Sequence, residues 1–131
     1  LWQWKITADE PGWDAWTDAL MSWKEAMNQE GSNYAGLISK AFEGFDFADV
    51  ERRRDLTDSD RYILAKEGLF YIAYLDKGGP IKIKNMKSGL PFYWFNPKTG
   101  VFETEGKASS EGSFKAPDNN PWVLIIGEKK Y

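Results

Sequence analysis

The spacing of apolar residues changes period near residue 60. Before it, large side chains recur at intervals of three and four, the stripe of an amphipathic helix. Trp13, Trp16, Leu20, Trp23 and Met27 make one such stripe, with Asp9 as N-cap, Pro11 in the opening turn, Asp14 and Asp18 favouring the helix dipole and Gly31 as the stop. Ser32 or Asn33 caps a second, shorter helix whose Tyr34, Leu37, Ile38, Ala41 and Phe42 share a face, and Gly44 ends it. Ahead of both, Trp2, Trp4 and Ile6 alternate with Gln3 and Lys5, which predicts an extended segment. Phe45–Val50 reads as a compact connector, and Glu51-Arg52-Arg53-Arg54 as a solvated turn of helix in preference to an anion site.

Beyond Asp60 the pattern is that of strands broken by Gly, Pro and Asn. Tyr62–Ala65 and Leu69–Leu75 flank Lys66-Glu67-Gly68, a tight loop with glycine where a left-handed residue belongs. Leu69–Leu75 is apolar throughout, which predicts a central strand covered on both faces. Lys77-Gly78-Gly79-Pro80 turns into a half-exposed strand in which Ile81 and Ile83 alternate with lysines. The strongest unit is Leu90–Gly100: an aromatic run from Phe92 to Phe95, then Asn96-Pro97-Lys98-Thr99-Gly100, a hairpin loop closed by a glycine of positive φ. Val101–Glu105 returns from it, Phe114 anchors a short strand, Pro117–Pro121 turns, and Trp122–Ile126 closes the set as a buried strand. About seven short strands with frequent turns predict a mainly β chain. The expected architecture is an immunoglobulin-like antiparallel β-sandwich preceded by one or two α-helices. The division falls between a helical segment, 1–54, and a sandwich domain, 55–131. Trp94 and Trp122 lie in apolar strands and are expected to be core.

Composition then narrows the chemistry. In 131 residues there is no His and no Cys, which removes the commonest general base, the usual metal ligand and thiolate nucleophiles. Net charge is −3 with scattered basic residues, against a nucleic-acid partner, and no apolar run approaches a membrane span. Asp55, Asp58 and Asp60 crowd one loop, but the spacing is not that of an EF-hand and Asx-turn chemistry accounts for them. The acid pairs Asp58/Asp60 and Glu103/Glu105 stand at i,i+2, whereas glycoside hydrolysis needs carboxyls facing each other across a scissile bond. No cofactor, metal site or catalytic residue is therefore expected. Aromatic residues are 16% of the chain, and five of the seven Trp fall within the first 23 residues, a surface that calls for a partner or for self-association through Trp13, Trp16 and Trp23. After the patterned aromatics are assigned to burial, Tyr93 and Tyr71 remain as candidate ligand-binding rings.

From Asp60 onward the chain resembles one family. The matching pieces are Tyr62-Ile63-Leu64-Ala65, Phe70–Leu75 followed by Gly78-Gly79-Pro80-Ile81, Trp94-Phe95-Asn96-Pro97-Lys98-Thr99-Gly100, and Phe114…Pro117…Trp122-Val123-Leu124. Together they are similar to the β-domain labelled a putative collagen-binding domain of a collagenase, which usually follows a (β/α)8 barrel of the apiosidase-like glycoside hydrolase kind. Leu1-Trp2-Gln3-Trp4 and the two helices resemble the end of such a barrel, more loosely. The barrel strands that bring the catalytic carboxylates would lie upstream, so no catalytic residue carries over. The resemblance implies an extracellular or periplasmic accessory domain, packed on a catalytic barrel and stabilising it. The alternative it implies is a module binding carbohydrate or collagen.

Overall fold

A computed structural model describes residues 23–58 and 60–130. The predicted Trp13–Leu20 part of the first stripe, and the extended Trp2–Ile6 segment, lie outside the described residues. The chain divides into two compact units, Leu1–Gly36 and Leu37–Tyr131. The described helices are α1, Trp23–Ala26, and α2, Glu30–Phe42. Helix α2 begins earlier than the sequence suggests: Gly31 sits in its first turn rather than ending the helix before it, because one glycine costs only about 1 kcal/mol in a helix. Gly44, at φ 82°, ends it as expected, with the Phe45 amide donating to the Phe42 carbonyl.

Eight strands follow: β1 Glu51–Arg52, β2 Tyr62–Lys66, β3 Phe70–Leu75, β4 Pro80–Lys82, β5 Pro91–Asn96, β6 Val101–Lys107, β7 Ser113–Lys115 and β8 Trp122–Ile126. Six make one antiparallel sheet in the order β1-β2-β3-β8-β5-β6, and β4 pairs with β7 in a second. The fold is the expected mainly β sandwich, with the two sheets unequal. Glu51–Arg54 is a correction: instead of a helical turn, its first two residues are an edge strand paired with Ala65 and Leu64, and a 3-10 turn follows at Arg54–Leu56. Two residues carry no periodicity, so only the partner strand defines β1.

The centre of the large sheet is buried on both faces. On one, Ile63, Tyr71, Leu75, Trp94, Trp122 and Leu124 pack with Ile81 and Phe114 of the small sheet. On the other, Phe70, Ile72, Phe95 and Ile125 pack with Ala41 of α2 and with Phe45 behind it. The hairpin from β5 to β6 forms as its residues predict. Asn96 Oδ1 accepts from the Lys98 and Thr99 amides, the Gly100 amide donates to the Asn96 carbonyl, and Gly100 has φ 71°. A bulge between Trp94 and Phe95 shifts the register against β6.

In the turn before β8, Asp118 Oδ1 accepts from the Trp122 indole N–H at 2.8 Å and from the Asn120 amide at 2.7 Å. The Trp122 bond, then those to Asn120, hold the Asp118 carboxyl below its ordinary range. A carboxyl with a lowered folded-state pKa adds stability that is complete above about pH 4, its unfolded value, and is lost as pH falls through the folded value. Melting curves from pH 5 to pH 2 should therefore fall more steeply for the native chain than for Asp118→Asn; parallel curves would remove Asp118 from the acid response.

Candidate functional site

In an antiparallel ladder, directly opposed residues project to the same face. The β2–β3 register opposes Tyr62 to Tyr74 and Leu64 to Ile72, and the β1–β2 register opposes Arg52 to Leu64. Arg52, Leu64, Tyr62 and Tyr74 therefore share the face that α2 and Phe45 cover further along. That cover reaches Phe70, Ile72, Phe95 and Ile125 and stops short of the β2 edge. Tyr62 stays 60% exposed, Tyr74 44% and Leu64 42%.

The result is an open platform of two phenol rings side by side on neighbouring strands, with Leu64 beside them. Opposed residues have Cβ atoms about 4.5–5.5 Å apart, so one ligand can lie across both rings. Two guanidinium groups border it: Arg52 Cζ lies 5.6 Å and Arg54 Cζ 5.8 Å from the Tyr62 ring centroid. Among the described residues neither forms an ion pair, unlike Arg53, which reaches Asp55 and Glu67 at 2.8 Å each, and Arg61, which reaches Asp76 at 3.5 Å.

The two rings singled out from sequence come out differently. Tyr71 is opposed to Ala65 and Ile126 on the other face, is 0% exposed, and its hydroxyl accepts from the Gly68 amide at 2.7 Å. A ring enclosed in this way offers no surface for stacking. Tyr93 is half-buried on the same face as Tyr62, within the helix-covered cluster. Phe45 and Phe102 meet it edge-on at 5.5 and 5.9 Å, and Lys129 Nζ sits 4.8 Å from its centroid and 4.6 Å from that of Phe102. Burial first, then Glu105 and Glu128, push its phenol pKa up. Tyr93 and Tyr71 thus occupy opposite faces and form no joint site.

Tyr62 and Tyr74 escaped the sequence reading because their strands look apolar on both sides; the missing fact is how far the helix reaches. The tyrosine hydroxyls were the available signal, since a strand residue with a polar tip tolerates a wet face. In the acid pairs, Asp58 is ion-paired with Lys84, and Glu103 accepts from the Asn96 side-chain amide at 2.8 Å. Among the described residues no cluster of three or more acidic side chains is placed to hold a metal ion, and no helix is long and apolar enough to cross a membrane.

No curated protein matches the chain. The family described as "Putative collagen-binding domain of a collagenase" matches residues 52–127, from the edge strand β1 to the glycine after β8. That match takes in strands β2 to β8 whole and more than half of the 131 residues, and the chain belongs to this family.

Proposed function

We propose that this chain is the non-catalytic binding domain of a secreted glycoside hydrolase, holding a polysaccharide against the catalytic barrel through Tyr62 and Tyr74. One observation carries the reading: two exposed rings, opposed in register, on an uncovered part of the large sheet. Sugars bind aromatic faces through the C–H side of the ring, and tyrosine keeps its hydroxyl in water while doing so. The family's description names binding, and the resemblance of the N-terminal residues to a barrel end supplies the hydrolase context. No residue of the chain is assigned a catalytic step.

Calorimetric titration with cell-wall oligosaccharides, and with a collagen-like peptide as the other arm, tests this. Tyr62→Ala and Tyr74→Ala should each weaken polysaccharide binding about tenfold while the melting temperature holds, since ring contacts contribute about 0.5–1.5 kcal/mol beyond their area. Unchanged affinity in the double variant, or saturation by the peptide alone, would reject it.

A buttressing role on the barrel is a second reading. Ile38 and Phe47 leave 59% and 51% of their surface in water beside a shallow cavity lined by Ser39, Phe42, Glu43 and Phe47. An apolar rim of this kind suits packing against a neighbouring domain.

A further inference from the structure

Two guanidinium groups stand at the platform. Arg52 shares its face by register, Arg54 approaches the same ring from the 3-10 turn, and neither has a carboxylate partner among the described residues. Neighbouring charges are already taken: Lys66 by Asp49 at 3.4 Å, Arg61 by Asp76, Arg53 by Asp55 and Glu67. Two guanidinium groups without an ion-pair partner among the described residues therefore stand beside the exposed rings. A guanidinium lying over a ring keeps its N–H donors in its own plane, directed outward, where they match the two oxygens of a carboxylate.

We infer that the platform selects an acidic polysaccharide, a polymer of uronic acids, over neutral glycans. The pyranose ring lies on Tyr74, against the edge of Tyr62, and its carboxylate takes the fork of Arg52 or Arg54 over Tyr62. The spacing favours a sugar over an acidic polypeptide. Same-side residues recur at about 6.6 Å in an extended peptide, and at about 9.3 Å in a polyproline helix. Both repeats exceed the 4.5–5.5 Å typical of opposed Cβ atoms in a ladder.

This inference rests on the binding reading above, and one titration series separates the two. The probes are an oligogalacturonate, its methyl ester and a collagen-like peptide rich in glutamate, each titrated into the full chain. The ester keeps the ring and removes the charge. The acid should bind about tenfold more tightly than the ester at low salt, and the gap should close near 1 M salt, where screening acts within about 3 Å. Arg52→Gln with Arg54→Gln should erase the acid's advantage, bringing acid and ester to one affinity, with native melting showing that the fold persists. Equal affinity for acid and ester, or an advantage that survives the double arginine variant, would overturn the inference while leaving the glycan platform standing. Tighter binding of the acidic peptide than of the uronate would overturn it in favour of a protein ligand. Failure of every probe, or binding indifferent to Tyr62→Ala and Tyr74→Ala, would overturn both readings.

Discussion

Replacing Trp122 by alanine is expected to remove about 3–5 kcal/mol of stability, out of the 5–15 kcal/mol typical of a domain. The residue is 1% exposed and opens β8, the strand inserted between β3 and β5 of the large sheet. It opposes Leu75, and its ring meets that of Trp94 edge-on, with centroids 6.4 Å apart and planes at 82°. Truncation empties the space between two strands and the small sheet, and leaves Asp118 without its indole donor. Trp94, 2% exposed, should cost a similar amount through packing alone. Because the rings touch, the double variant should lose less than the sum of the singles. Urea unfolding is the measurement, with a lowered midpoint at constant slope. Trp122→Phe keeps most of the ring volume and drops the hydrogen bond, so it should fall between the native chain and the alanine variant. A native midpoint for either alanine variant would mean that the ring is not core.

How much of this was legible in the sequence depends on the range of the forces concerned. The β5–β6 hairpin could be read residue by residue: Asn96 and Gly100 are chosen by local backbone geometry, and both act as their types require. Strands β2, β3 and β8 were legible as apolar runs, and the burial of Trp94 and Trp122 followed. The failures are of another kind. Strand β1 is two polar residues whose strand character exists only through pairing with β2. Tyr71 reads as a candidate ligand-binding ring from its type, but alternation gives each strand residue a face without saying which face is dry, and Tyr71 is enclosed. Tyr62 and Tyr74 were passed over for the complementary reason. Whether a ring is wet depends on where Ala41 and Phe45 stop covering the sheet, and nothing within β2 or β3 encodes that limit.

Gly112→Ala should cost about 2–5 kcal/mol, the sum of about 1–2 for a left-handed residue carrying a Cβ and about 1–3 for overpacking. Gly112 has φ 63°, and its carbonyl accepts from the Ile83 amide at 2.8 Å, which ties the approach to β7 to the residue just after β4. A Cβ there would overlap the Ile83 carbonyl oxygen and come within 3.0 Å of Met86 Cβ. Neither atom can swing aside: one belongs to the backbone, and the other is the stem of a buried side chain. Gly68→Ala is the matched control. Its φ is 79°, so the conformational cost is alike, but a Cβ would meet nothing within 4 Å. Gly68→Ala should therefore lose about 1–2 kcal/mol, and Gly112→Ala distinctly more, with loss of the bond that holds the two-stranded sheet over Trp94 and Trp122. Paired urea titrations followed by tryptophan emission would read both the midpoint and the core environment. Equal midpoints would show that the loop before β7 yields at Ile83, and that the small sheet is not fixed by this glycine.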